Sequence, residues 1–256
     1  YARVGEKNPV GSGVAVAATD AGVVAPASHP ATTASKPSST RPAEGQENAG
    51  ITAAMRQAGE AKKHLFVFVY EKNDDQMRAG RKTFDSAVRK LADTIQWTTV
   101  DRSASLDKEF VAKYGLKSAP MPVVLVFAPN GAMTGGFVGA RLTEALLLDS
   151  LASPAKQAVL KAIQARKLVF LCVRSGVAKS NKTAMNGVNE FKADDRFAEA
   201  TEIVGVDLSD AAEGKFFTQL DIDPKTDQAT TVFLAPPGAL IGKYTGATEK
   251  SKLVTA

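Results

Sequence analysis

Residues 123–140 read VVLVFAPNGAMTGGFVGA, and residues 230–247 read TTVFLAPPGALIGKYTGA. The two segments stand 107 residues apart throughout, since 230 − 123 = 107 and 247 − 140 = 107. Each is an apolar strand, an Ala-Pro-x-Gly turn, a second strand and a rim of the form Gly-x-x-x-Gly-Ala. A supersecondary unit that recurs at this spacing predicts two related domains in tandem. The chain has 256 residues, which suffices for two domains of about 100 residues each. It also lets either copy test what the other is thought to do.

The first fifty residues do not belong to that pattern. They are rich in Ala, Ser, Thr, Pro, Gly and Val, as in residues 10–40, VGSGVAVAATDAGVVAPASHPATTASKPSST. A segment of this kind buries too little apolar surface to offset the entropy of ordering it. It reads as an extended low-complexity arm. Residues 13–18 and 21–25 suit an extended backbone, the second closed by Pro26. Val14, Val16, Val23 and Val24 would be the side chains presented if these stretches added to a sheet edge in an assembly. A flexible tether is the other reading, and the sequence leaves both open. The chain begins at Tyr1 and not at Met, which does not decide between a removed signal and a sequence that simply starts there, while the arm's composition suits an exported protein.

The rest alternates between the two secondary-structure periods. Residues 53–63 are expected to form a short helix. Residues 64–70, HLFVFVY, form an apolar run expected to be a buried strand. A helix is expected over 77–94, a strand over 95–101 and a helix over 106–117, stopped at Gly115. The first hairpin follows, with a helix from Leu142. Pro154 is expected to interrupt that helical stretch. A new helix over 155–167 and a strand over 168–174, LVFLCVR, then restart the series. Residues 202–207 match 96–101, and 215–222 match 109–116, both at an offset of 106. The boundaries read from this are 1–50 for the arm, 51–153 for the first domain and 154–256 for the second. The last helix of the second domain looks incomplete. Strands alternating with helices and closed by a tight hairpin predict an α/β fold with a central mixed sheet flanked by helices.

Composition excludes several function classes. One cysteine and two histidines leave no disulfide framework within the chain and no plausible zinc site. His29 lies in the arm and His64 opens a strand, and both read as bystanders. No run approaches the roughly 18 apolar residues of a membrane span. The net charge is +5, while the first fifty residues balance at four basic and four acidic, so the excess lies on the repeats. Its densest cluster is Arg78, Arg81, Lys82, Arg89 and Lys90, opposite an apolar stripe of Met77, Phe84, Val88 and Leu91. That reads as a solvated helix face. Nucleic-acid binding would call for interleaved aromatic residues, and Trp97 is the only tryptophan. Gly135, Gly136 and Gly139 follow a hairpin with no helix opening in the right place, so they read as close-packed strand and not as a phosphate loop. Residues 221–227, DIDPKTD, lack the glycine and the glutamate of a calcium loop and read as a plain loop.

The order α-β-α-β-α-β-β-α, with Met121-Pro122 immediately before the hairpin, resembles the thioredoxin-like fold family over about residues 51–256. The resemblance implies a cis bond at Pro122, facing the loop that carries Cys-x-x-Cys in active members. The physical basis of that motif is a helix N-terminus that lowers a thiol pKa. The corresponding loop here, residues 71–78, is EKNDDQMR, and its partner in the second copy, residues 175–183, is SGVAKSNKT. Neither has a cysteine. Asp74 and Asp75 read as helix-capping residues. In the second copy Ala229 stands where Pro122 stands in the first. Cys172 lies inside a strand and reads as a small buried hydrophobe. The expectation is a non-catalytic structural or interaction protein with no cofactor and no metal. Its partners would be other protein subunits, including further copies of itself, held through the N-terminal arm. The runner-up is a peptide-binding module that uses a groove beside Met121, Pro122, Asp74 and Asp75. A thiol–disulfide accessory factor, which would depend on Cys172, is the third reading.

Overall fold

The computed structural model describes residues 50–104, 107–176 and 178–255. Val14, Val16, Val23, Val24 and His29 lie outside the described residues. The chain divides into two compact units between Lys161 and Ala162.

The first unit runs α1 (Ile51–Glu60), β1 (His64–Tyr70), α2 (Asp75–Lys90), β2 (Ile95–Asp101), α3 (Lys108–Lys113), β3 (Val123–Phe127), β4 (Met133–Val138) and α4 (Glu144–Asp149). α5 (Pro154–Gln164) crosses the division. The second unit continues with β5 (Leu168–Arg174), α6 (Ala178–Lys192), β6 (Thr201–Asp207), α7 (Gly214–Gln219), β7 (Thr230–Ala235), β8 (Ala239–Thr245) and α8 (Lys250–Val254).

Each unit holds one four-stranded mixed sheet, ordered β2-β1-β3-β4 in the first and β6-β5-β7-β8 in the second. In the first, β1 runs parallel to β2 and antiparallel to β3, which turns back into β4. β5, β6, β7 and β8 repeat those directions. Two sheets of this order, each flanked by helices, make two thioredoxin-like domains.

The run HLFVFVY is apolar throughout because both faces of β1 are covered. Successive side chains leave a strand on opposite faces. Leu65, Val67 and Val69 therefore enter one core with Ile51, Ala54, Ala58, Phe110 and Leu116 from the α1–α3 side. Phe66 and Phe68 enter the other core, with Phe84 and Ala87 of α2 and Leu147 of α4. Burying each of these phenylalanines is worth roughly 2–3 kcal/mol. In the second unit Phe170 stacks on Phe233 at 4.4 Å and meets Phe191 edge-on at 5.0 Å. Cys172, Val188 and Leu253 complete that cluster.

The expected strands agree with the structure to within a residue, and the helices depart at their ends. α2 starts two residues earlier than expected because Asp74 caps it, and it ends at Lys90. The helix expected over 106–117 is shorter. Gly115 takes a left-handed backbone (φ +64), and residues 116–118 re-form as a single 3-10 turn. Pro154 is the first residue of α5, where its missing N–H costs nothing. The break therefore falls between Asp149 and Pro154. Among the described residues no helix is long and apolar enough to cross a membrane.

Candidate functional site

In the first domain the β1–α2 loop and the turn before β3 lie side by side at the carboxyl end of β1. Asp74 Oδ1 accepts the Met77 backbone N–H at 2.8 Å, an N-cap of α2. Asp75 is the first helical residue and pairs with Arg78 at 2.5 Å. Arg78 also donates to the Asn73 carbonyl at 3.0 Å, which folds the loop onto the helix start. Of the two residues expected to cap the helix, Asp74 does so and Asp75 does not, because it is already inside the first turn and its carboxylate is taken by Arg78.

The Met121–Pro122 peptide is cis, as the family resemblance implies. The Pro122 ring rests on α2 at Gly80, where an added Cβ would fall within 3.0 Å of it. The Pro122 carbonyl accepts the Gly139 N–H at 2.9 Å, closing the hairpin. Gln76 Nε2 reaches the same Gly139, 3.0 Å from where a Cβ would stand. The first two turns of α2 thus flank Pro122. Met121 is half-buried and packs on the α1–α3 core. Among the described residues no hydrogen bond or ion pair joins Asp74 or Asp75 to Met121 or Pro122. They are linked through Gln76 and Gly80.

Arg102 was not singled out by sequence, and it holds this region together. Its Nη1 donates to the carbonyls of Leu116 at 3.1 Å and Ala119 at 2.9 Å. Its Nη2 pairs with Glu71, and its backbone N–H donates to Tyr70 O at 2.8 Å. One guanidinium therefore ties the loop after β1 to the turn before Pro122. A planar fork with several fixed donors suits this use.

The second domain builds the same place differently. Asn181 Oδ1 accepts the Ser175 N–H at 3.1 Å, and its Nδ2 donates to the Ser175 carbonyl at 2.7 Å. Ser175 Oγ donates to the Asp227 carbonyl at 2.8 Å. That serine is occupied in structure. Ala229 replaces proline, and its carbonyl accepts the Gly246 N–H at 2.7 Å, the counterpart of the Gly139 bond. Among the described residues the other cis bond is Pro236–Pro237, in the β7–β8 turn, away from this position.

Cys172, the only cysteine, is 4% exposed in the middle of β5. Burial pushes its thiol up to about 12, and the neighbouring Thr231 hydroxyl only partly offsets this. Thiolate is the nucleophilic form, so the site suppresses thiol chemistry. His64 is also buried, and its Nε2 accepts the Ala152 N–H at 3.2 Å. Burial lowers its pKa. Its role is to fasten the start of β1 to the segment after α4.

Among the described residues no group of three or more His, Cys, Asp or Glu is placed to hold a metal ion. No protein-family model matches the chain, and no curated protein does. Among solved structures, it is similar to a thioredoxin of Fasciola hepatica at 15% identity, with 39% of this chain and 89% of that one covered and a TM-score of 0.32. The germline-specific thioredoxin Deadhead of Drosophila melanogaster gives 18% identity, coverage of 38% and 86%, and a TM-score of 0.31. Thioredoxin O2 of Arabidopsis thaliana gives 14%, 36% and 76%, and 0.31.

Proposed function

We propose that this chain is a non-catalytic interaction protein, a subunit of a larger assembly whose two thioredoxin-like domains act as rigid scaffolds and whose N-terminal arm makes the joining contact. The observation that carries this is what occupies the reactive position of the fold. In the first domain it holds Asp74 as a helix cap and Asp75 as an ion-pair partner. In the second it holds Ser175 and Asn181 bonded to backbone. The one thiol is buried inside a strand. The low-complexity arm supports export of the protein and assembly outside the cell. Deleting residues 1–49 and comparing the sedimentation of the two chains tests the assembly role. Loss of assembly with both domains still folded is the expected outcome, and unchanged sedimentation rejects it.

A peptide-binding role at the Met121–Pro122 turn is the second reading. It is favoured by one observation: only the first domain keeps the proline, and Arg102 and Gly80 hold its surroundings in place. Met121→Ala should then weaken capture of extended peptides without changing assembly.

A further inference from the structure

The outer face of α2 carries Arg78, Arg81, Lys82, Arg89 and Lys90 within thirteen residues. The chain's positive charge is concentrated on the same unit. Residues 50–161 hold 16 basic and 11 acidic side chains, a net of 16 − 11 = +5, whereas residues 162–256 hold 12 of each, a net of zero. The arm is neutral, so this one unit carries the whole excess of the chain.

Arg81 is the one of these cations that lies over aromatic rings. Its guanidinium lies over the rings of Trp97 at 5.2 Å, Phe68 at 5.6 Å and Phe84 at 5.8 Å. Its Nε donates to Asp85 Oδ1 at 2.8 Å. Among the described residues its Nη1 and Nη2 make no hydrogen bond. A guanidinium surrounded by rings and fixed at Nε presents its remaining donors at reduced further entropic cost, and such a fork matches a carboxylate. Beside it is a cavity of about 320 Å³, lined among the described residues by Met77, Arg78, Arg81, Lys82, Asp85 and Arg89. Arg78 and Lys90 are paired, with Asp75 and Glu144. Lys82 and Arg89 have no ion pair among the described residues.

We infer that this face of α2 is a docking surface for an acidic peptide segment of a partner protein. A carboxylate of the partner takes the free edge of Arg81, further carboxylates meet Lys82 and Arg89, and an apolar side chain rests on Met77. Charge complementarity selects the occupant. A nucleic acid fits less well for two reasons. Asp75 and Asp85 interrupt the row, so a continuous phosphate backbone meets repulsion along a track of only about 18 Å. Trp97 is half-buried beneath Arg81, so no bare ring is offered for base stacking. This surface lies outside the Pro122 turn and the arm, and it goes beyond the function proposed above.

The sole tryptophan sits under the anchor and reports on it. The test titrates the full chain with a ten-residue peptide of alternating glutamate and leucine while Trp97 fluorescence is followed, at low and at physiological salt. Saturable binding that weakens with salt is expected. The double variant Lys82→Glu, Arg89→Glu, both exposed positions, should weaken it by about tenfold or more with the melting curve unchanged. Arg81→Lys should weaken it less, because charge remains and the fork is lost. Three outcomes overturn the inference: no saturable signal, binding indifferent to the charge reversal, or tighter binding of a single-stranded oligonucleotide than of the peptide. Each can occur whether or not the arm mediates assembly.

Discussion

Gly80 lies so close to the ring of Pro122 that a methyl group in place of its α-hydrogen would overlap it. The residue 187 − 80 = 107 positions later is also glycine. Gly187 in α6 stands against the backbone of Thr248, closer still. The two helices therefore use the same position for close approach, one to a proline ring and the other to the chain entering α8. Alanine normally stabilises a helix interior by about 1 kcal/mol over glycine. Here both Gly80→Ala and Gly187→Ala should destabilise, by roughly 1–3 kcal/mol. For Gly187→Ala the cost should appear as faster amide exchange in α8, whose Leu253 is buried. A urea midpoint that stays put or rises in either variant would show that the neighbour moves aside freely.

Arg102 donates to the carbonyls of Leu116 and Ala119, and the Leu116 carbonyl also accepts the Ala119 N–H at 3.4 Å. Arg102→Ala should cost about 1–3 kcal/mol in urea unfolding of the first domain. Arg102→Lys should recover only part of it, since a single ammonium cannot reach Glu71 and both carbonyls in one plane. Full recovery by lysine would reduce the clamp to a charge effect.

Burial holds the pKa of His64 below its ordinary 6.5. Below pH 6.5 the unfolded chain takes up a proton that the folded chain refuses. Stability from the neutral ring is therefore whole above 6.5 and declines as pH falls through the folded value. His64→Gln removes this titration. Its unfolding midpoint should fall less than the wild type's between about pH 7.5 and pH 5.5. Parallel curves for the two proteins would assign the slope to other groups.

With its thiol pushed up to about 12, Cys172 is thiolate in only about one molecule in ten thousand at pH 8. An aromatic disulfide reagent should leave the native chain unlabelled and modify it at once in denaturant. Prompt native labelling would revive the redox reading.

How much of this the sequence could disclose depends on how far apart the cooperating residues lie. Strands β1, β2 and β5 were legible because a run such as LVFLCVR has one buried solution, and the hairpins because Ala-Pro-x-Gly fixes a turn. The Asp74 cap was legible for the same local reason. The end of α3 was less so, because the left-handed backbone at Gly115 cuts a periodic pattern short. The Arg102 clamp was invisible. It joins residues 71, 102, 116 and 119, and no local rule selects that arginine from the chain's other cations. Gly80 and Gly187 were equally hidden, because a helix-interior glycine declares itself only through the atoms facing it. The aromatic residues sought beside the basic cluster were present as well, brought under Arg81 from β1 and β2.

Each β-hairpin is bounded by two positive-φ glycines eight residues apart, Gly131 and Gly139 in the first domain and Gly238 and Gly246 in the second. The later glycine of each pair donates to the residue at which the hairpin begins, Pro122 or Ala229. A hairpin tied at its open end and bent at its closed end is fixed at both ends, and each one takes up an extra residue as a bulge in between, at Thr134 and at Ile241. Side chains along β4 and β8 can change one at a time, as the differences between the two already do. The bulge recurs at the same place in both copies, since 241 − 134 = 107, so the two hairpins share their irregularity as well as their length.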